Sequence, residues 1–191
     1  MSANATSPND SPPTSRWRLW IDGCGGFLLV TGDRWSVGGQ SQENQADICV
    51  RADWPRRAGT IQRIGGDYFW SDTRAPDQRQ LISGNRPLPI PGSATVTMLL
   101  PTPLSNTATL ALQPPHRFSD HVDGVVLFDA ALLVGAQADC HIRCHPMTER
   151  AVITRRGEKW LGKIGLSSDF KELPVGNRIT LQSLAITLEK A

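Results

Sequence analysis

Apolar residues along this chain fall in short runs that are separated by turn-forming residues. The runs are rich in β-branched and aromatic side chains, whereas Gly, Pro, Asp and Asn lie between them, as in Gly65-Gly66-Asp67. No window of about 11 residues carries the apolar stripe of an amphipathic helix. Many short strands with regular turns are typical of all-β sandwiches and barrels. The pattern predicts strands near residues 19–21, 27–30, 35–37, 48–50, 68–70 and 96–99.

The second half of the chain repeats the first half. A run of apolar residues that ends in Val37-Gly38 recurs as a run that ends in Val134-Gly135. Further segments match in the same order, with small gaps between them. A long period that is present only twice indicates a duplicated domain, because a solenoid needs at least three short repeats. The matched segments are 26–39 with 124–136, 46–51 with 138–143, 57–58 with 150–151, 66–70 with 157–161 and 88–92 with 173–176.

The boundary between the repeats falls in a turn-rich segment at 101–106. Residues 1–15 are rich in Ser, Pro and Asn and contain no apolar run, so we expect a disordered tail there. The rest of the chain divides into 16–100 and 107–191, and each part has the length of a small independent domain. We therefore predict two tandem β-sandwich modules after the tail.

Each repeat carries its motifs in the same order. An apolar strand ending in Val-Gly is followed by a polar loop with Ala-Asp, an Arg-containing turn, an aromatic hairpin and a closing Pro-Gly or Pro-Val-Gly. This order resembles the forkhead-associated (FHA) domain, a β-sandwich whose loops at one end bind phosphothreonine peptides. The resemblance is clearest for residues 26–98 and weaker for 124–188. It implies a non-enzymatic protein–protein interaction module in phosphorylation-linked signalling, with a phosphorylated or unphosphorylated protein as its partner.

The resemblance carries only part of the FHA binding site into this chain. Gly38-Gly39 stands where the family has Gly-Arg, and Pro55-Arg56-Arg57-Ala58 stands where the family has Ser-Arg-x-His. The family's Asn-Gly pair has an inverted counterpart in Gly84-Asn85, and Ser41 offers a replacement hydroxyl. The module 16–100, which matches better, is the candidate peptide reader. The candidate phosphopeptide-binding residues are Gly38, Ser41, Arg56, Arg57 and Asn85.

The missing family residues weaken the expected phosphate contact. A phosphate group carries up to about two negative charges and takes several charge-assisted hydrogen bonds at once. Each such bond contributes about 1.5–3 kcal/mol, so the loss of two costs roughly 3–6 kcal/mol. We expect the first module to bind phosphothreonine weakly or by another arrangement, and the second module not to bind it.

Charge and motifs narrow the remaining functions. The formal net charge of +2 argues against a polybasic nucleic-acid arm. Two alternatives stay open: a phosphate-independent scaffold protein, and a weak nucleic-acid binder that uses the Arg-rich turns and depends strongly on salt. The sequence contains no nucleophile elbow, no phosphate loop and no zinc-protease motif, so we expect neither enzyme activity nor a cofactor.

A cluster of Cys and His residues at 140–145 suggests a metal site at first sight. The repeat places this segment on a strand, where residues four apart are separated by roughly 13 Å, too far for one zinc ion to bridge. We therefore expect no metal there. Strand alternation predicts Cys140, Ile142 and Cys144 on the core face and His141 on the opposite face.

Arg51 and Arg143 occupy matched positions in the two repeats. One interpretation is a basic contact beside the peptide-binding loops. The other is a duplicated structural ion pair with Asp47 and Asp139.

Location within the cell follows from what the sequence lacks. No segment approaches the roughly 20 apolar residues that a membrane-spanning helix needs, and no secretory signal is recognisable at the start. Four Cys in 191 residues do not suggest a disulfide framework. We expect a cytoplasmic protein that does not interact with membranes.

Overall fold

The computed structural model describes residues 14–41, 45–166, 169–182 and 184–191. All the regular secondary structure in these ranges is β-strand, so the predicted all-β class is confirmed. None of these elements is a helix long and apolar enough to cross a membrane. Residues 1–13 of the predicted tail lie outside the described residues. The strands are β1 (Arg16–Ile21), β2 (Gly25–Val30), β3 (Arg34–Gly39), β4 (Ile48–Arg51), β5 (Gly59–Ile64), β6 (Asp67–Asp72), β7 (Gln80–Leu81), β8 (Arg86–Pro87), β9 (Val96–Leu99), β10 (Ala108–Leu112), β11 (Arg117–Phe118), β12 (Gly124–Leu127), β13 (Ala131–Gly135), β14 (Ile142–Arg143), β15 (Ala151–Arg156), β16 (Lys159–Ile164), β17 (Lys171–Glu172), β18 (Arg178–Leu181) and β19 (Leu184–Lys190).

The strands form three sheets. A central eight-stranded sheet has the order β18-β19-β1-β2-β12-β10-β9-β8. A six-stranded sheet has the order β11-β4-β3-β5-β6-β7, and a five-stranded sheet has the order β14-β13-β15-β16-β17. The last two correspond to each other strand for strand, apart from β11, as a duplicated sequence requires.

Two hydrophobic cores lie between these sheets. The first core joins the six-stranded sheet to one part of the central sheet, and its largest buried side chains include Trp35, Tyr68 and Phe118. The second core joins the five-stranded sheet to the other part of the central sheet and contains Trp17 and Trp160, whose rings meet edge to face. The polypeptide therefore forms two sandwiches that share a sheet.

The two halves of the chain exchange their first hairpins. The β1–β2 hairpin of the first half pairs with β19, the last strand of the second half. The β10–β12 hairpin of the second half pairs with β9, the last long strand of the first half. Each sandwich is thus completed by a hairpin from the other half. The predicted modules 16–100 and 107–191 therefore differ from the two sandwiches. Strand β1 lies in the first range but builds the second core, and strand β10 lies in the second range but builds the first core.

Strands β2 and β12 pair in parallel at the centre of the shared sheet, and both are buried on both faces. Leu28 of β2 packs into the first core, whereas Leu29 packs into the second. Val126 and Leu127 of β12 are the repeat equivalents of Leu28 and Leu29. Val126 packs into the second core and Leu127 into the first, so equivalent residues face opposite cores. The alternation relates the two halves by an approximate two-fold axis along these strands. It also explains why both sequences are continuous apolar runs, since such strands have no polar face.

Short linkers, 31–33 and 128–130, connect the exchanged hairpins to β3 and β13. The buried guanidinium of Arg63 binds both linkers. It lies 2.7 Å from the carboxylate of Asp33 and 3.1 Å from that of Asp129, and it donates hydrogen bonds to a backbone carbonyl in each linker. This one side chain therefore holds the crossing point of the two halves.

The far ends of the two hairpins are held by different means. Cys24, in the tight turn of the first hairpin, forms a disulfide with Cys144 of the second sandwich, so the four cysteines include a bridge that the sequence did not predict. The loop of the second hairpin is longer and contains β11, which pairs with β4 of the first sandwich. Cys49 and Cys140 are free and buried.

Candidate functional site

Gly38 and Gly39 end β3 beneath the turn 54–57. The amide of Gly39 donates to the carbonyl of Pro55 at 2.8 Å, and the amide of Ala58 donates to the carbonyl of Val37 at 2.8 Å. A Cβ atom at Gly38 would overlap the carbonyl group of Arg56, and one at Gly39 would overlap the carbonyl oxygen of Trp54. Both glycines are therefore needed for the close approach of the turn. An Arg at position 39, as in FHA domains, does not fit this packing.

The turn presents Arg56 and Arg57 to solvent at one end of the first sandwich. Thr73, which follows β6, donates from its backbone amide to the carbonyl of Ala58 and from its hydroxyl to the carbonyl of Arg57. These bonds fix the turn to the end of β6. The side chain of Arg57 makes no hydrogen bond or ion pair with another described residue, so its guanidinium is available to a ligand.

A cleft of about 190 Å³ opens beside Arg57. Trp70 and Ile90, which are 3% and 9% exposed, form its apolar floor. Arg57 and Arg74, which are both exposed, also line the cleft and make its rim polar. The cleft can therefore take an apolar group in its centre and an anionic group at its rim. The remaining lining residues are Pro55, Ala58, Asp72, Thr73 and Pro91.

Arg74 is oriented by Asp72. Its Nε and Nη2 atoms donate to the two carboxylate oxygens at 3.0 and 2.9 Å, and its backbone amide donates to the same carboxylate at 2.8 Å. These hydrogen bonds lower the pKa of Asp72 to about 2. The pair is exposed, so it adds little to stability. Of the two arginines, Arg57 has no carboxylate partner among the residues that the structure describes.

The structure does not place all predicted site residues at this end of the sandwich. Asn85 has φ of 63° and donates from its backbone amide to the carbonyl of Met98. It follows Ile82, which pairs with Tyr68 near the start of β6, whereas Arg57 lies at the end of that strand. Five strand residues span roughly 16 Å. Asn85 therefore lies at the opposite end of the sandwich from Arg57.

Gly38, Arg56 and Arg57 lie close together at the turn, while Ser41 is half-buried just after β3. Trp70, Thr73, Arg74 and Ile90 of the cleft were not named by sequence reasoning. Trp70 belongs to the first core and is almost fully buried, and the loops that form the cleft beside it come from distant parts of the chain.

The corresponding turn of the second sandwich is held by internal contacts. Arg150 forms a bidentate ion pair with Asp139 at 2.7 and 2.9 Å, so the predicted pairing of Asp139 with Arg143 is wrong. Met147, in the equivalent turn, is buried. A Cβ at Gly135 would meet Gln137 and Cys140. A cleft of about 180 Å³ lies beside Gly162 and Ile164, the structural equivalents of Trp70 and Asp72, so the second sandwich has a cleft here but no Trp in its floor.

His141 is buried, so its predicted position on the outer face is wrong. Its Nδ1 atom accepts a hydrogen bond from the amide of Leu133 at 3.0 Å. Asp47 accepts the equivalent bond from Ser36 in the first half. The strand registers, Val37 with Ile48 and Val134 with Ile142, show that Asp47 and His141 are equivalent. Burial lowers the pKa of His141 to about 4, which keeps the imidazole neutral.

Arg51 does not form the ion pair with Asp47 that one interpretation of the repeat predicted, because Asp47 binds Ser36 instead. Its Nη2 atom lies 2.8 Å from Nε2 of His121. On the neighbouring strand, Arg117 lies directly opposite Arg51. Sequence reasoning missed Arg117 and His121, since nothing local in the sequence indicates that β11 pairs with β4.

Within the described ranges, no three His, Cys, Asp or Glu side chains cluster in a way that could hold a metal ion. Comparisons of the chain with protein-family models, with curated proteins and with solved structures found no match.

Proposed function

We propose that this chain is a non-enzymatic, FHA-like protein–protein interaction protein that binds its partner at the cleft of the first sandwich. The observation that carries the proposal is the combination of an apolar floor, Trp70 and Ile90, with the guanidinium of Arg57, which has no side-chain partner among the described residues. A peptide that places an apolar side chain beside an anionic one matches both features.

The size of these contributions predicts a weak interaction. Burying one aliphatic side chain contributes about 1.5–3 kcal/mol, and one charge-assisted hydrogen bond contributes about as much. Together they amount to roughly 3–6 kcal/mol, which corresponds to a Kd weaker than about 10 µM. Such an affinity suits a transient partner in phosphorylation-linked signalling, and a cytoplasmic location belongs to the same proposal.

Phosphate contributes through Arg57 and its neighbour Arg56, in place of the family's Gly-Arg residue that the packing at Gly39 excludes. Recognition of the phosphate thus depends on these two arginines. A scaffold protein that binds its partner without phosphate would use the same cleft floor. Phosphopeptide binding and scaffold binding therefore differ only in whether the phosphate adds to the affinity.

The test is a titration of the full chain with a degenerate phosphothreonine peptide library and with its unphosphorylated counterpart. We expect tighter binding of the phosphorylated library, and the Arg57→Ala variant should weaken it by about tenfold. Arg86→Ala is the matched control, because Arg86 is exposed at the opposite end of the same sandwich. Equal binding of both libraries would favour the scaffold function. Binding that Arg57→Ala leaves unchanged would refute the cleft as the site.

A further inference from the structure

Two arginines face each other on the edge of the six-stranded sheet. Arg51 of β4 and Arg117 of β11 are direct partners in an antiparallel pair, and both are exposed. Their neighbours Val50 and Phe118 form the next pair and are buried in the first core. Because side chains alternate along a strand, both guanidiniums rise from the same outer face. The Cβ atoms of such partners are about 4.5–5.5 Å apart.

Like charges placed directly opposite each other destabilise a sheet. No carboxylate relieves this pair among the described residues. Arg51 contacts the ring of His121, and because an arginine is always protonated, Nε2 of His121 must accept the hydrogen bond. The imidazole therefore adds no negative charge. The side chain of Arg117 makes no hydrogen bond or ion pair with another described residue.

The nearest acidic residues along the chain are bound elsewhere. Asp120 accepts two hydrogen bonds from Arg16, at 2.7 and 2.8 Å, and its carboxylate is only 8% exposed. Asp53 accepts hydrogen bonds from the amide and the hydroxyl of Ser93. The described part of the chain thus leaves two adjacent positive charges without a counter-charge.

We infer that Arg51, Arg117 and His121 form a binding site for a phosphate monoester. A monoester dianion carries up to about two negative charges, which matches two guanidiniums, and its oxygens accept several charge-assisted hydrogen bonds at once. A phosphodiester carries only one charge and matches less well. The phosphate belongs either to a small phosphate ester or to a phosphorylated protein side chain, and the two sources share this chemistry.

The backbone holds the site in place before a ligand arrives. Phe118 is 2% exposed and anchors β11, and the amide of Ser119 donates to the carbonyl of Cys49. His121 adopts φ of 58°, and its amide donates to the carbonyl of Phe118. Little conformational freedom of the backbone is therefore lost on binding, which favours affinity.

This site is separate from the cleft of the proposed function. Strands β4 and β6 are three strand spacings apart in the sheet, which is roughly 14 Å. The second sandwich has no equivalent, because the tight turn of the first hairpin contains no strand like β11. Phosphate binding at Arg51 and Arg117 is therefore independent of peptide binding at Arg57.

The experiment is an NMR titration of the full chain with inorganic phosphate, followed at the arginine Nε–H and backbone amide signals, against sodium chloride of equal ionic strength. We expect saturable shifts at Arg51 and Arg117 with phosphate alone. Arg51→Gln and Arg117→Gln should each weaken binding by about tenfold, as the loss of one charge-assisted hydrogen bond implies. Arg86→Gln, which removes an exposed charge elsewhere, should leave binding unchanged.

Both variants should fold, because removing one of two opposed charges relieves repulsion; a melting temperature at or above that of the parent verifies this. A phosphothreonine peptide that binds more tightly than inorganic phosphate, and through the same residues, assigns the phosphate to a protein partner. Tighter binding of inorganic phosphate assigns it to a small ester. Shifts that do not saturate, equal loss in Arg86→Gln, or tighter binding of a DNA oligonucleotide at these residues would each overturn the inference.

Discussion

Arg63 and Asp129 form an ion pair, 3.1 Å long, between strand β5 of the first repeat and the linker 128–130 of the second. The same guanidinium also binds Asp33, so one side chain contacts the linkers of both exchanged hairpins. This contact explains how two duplicated halves come to share a sheet while each keeps its own core. It also makes the junction the place where a single substitution should affect both sandwiches.

Replacing Arg63 with Ala should destabilise the whole chain. The change leaves two carboxylates and two linker carbonyls without their donor, and we expect the free energy of unfolding to fall by about 2–3 kcal/mol. Urea denaturation followed by tryptophan fluorescence measures this loss. Arg86→Ala, at an exposed position, is the control. A change as small as that of the control would show that the linkers do not depend on Arg63.

Reducing the Cys24–Cys144 disulfide should also destabilise the chain. The bond closes a loop of 120 residues and ties the first hairpin to the second sandwich. A typical disulfide contributes about 2–4 kcal/mol, so the urea midpoint should fall in the presence of a reductant. The Cys24→Ser/Cys144→Ser double variant should show the lower midpoint with or without reductant.

An identical midpoint for the oxidised and the reduced protein would contradict this role of the bond. Disulfides persist mainly in oxidising compartments, so the state of this bond in cells also tests the cytoplasmic location. Mass spectrometry of thiol-alkylated protein gives that state directly.

Acid should weaken the second sandwich through His141. Its pKa lies near 4 in the folded chain against 6.5 in the unfolded chain, so the unfolded state binds the proton more readily. The stability that the neutral ring contributes is complete above pH 6.5 and is lost as the pH falls towards 4. The loss amounts to about 3 kcal/mol. His141→Asn keeps an acceptor for the amide of Leu133 and should show a flatter profile of unfolding free energy against pH. Parallel profiles would exclude His141 as the cause.

A side chain at position 39 should disturb the turn that carries Arg56 and Arg57. The Cβ of Gly39→Ala overlaps the carbonyl of Trp54, so the turn must move at a cost of about 1–3 kcal/mol. Gly84→Ala is the matched control, since its Cβ meets only ordinary contacts with Leu100. Thermal unfolding compares the two variants. Gly39→Arg should therefore lower stability and should not create the phosphate contact of an FHA domain.

Local features of the fold were predictable from the sequence, and long-range pairings were not. The strands around Phe27–Val30 and Val125–Phe128 follow from β-branched and aromatic runs. These runs are also unbroken, and an unbroken apolar run indicates a strand that is buried on both faces. The exchange of hairpins has no local signal, because a hairpin presents the same apolar residues to either core.

The candidate site divides in the same way. Gly38, Arg56 and Arg57 lie close together because adjacent strands and turns carry them. Asn85 was placed with them by analogy of sequence order, but the direction of β6 puts it at the other end of the sandwich. Arg117 belongs to a two-residue strand inside a loop, and no periodic pattern is long enough to indicate it.

The proposal that the first sandwich binds a partner at its cleft is tested most directly by mapping amide chemical shifts of the full chain with the degenerate phosphothreonine library. We expect the perturbed residues to cluster at 55–58, 70–74 and 90–91. Perturbations confined to the equivalent end of the second sandwich, at 136–150, or to neither end, would contradict it.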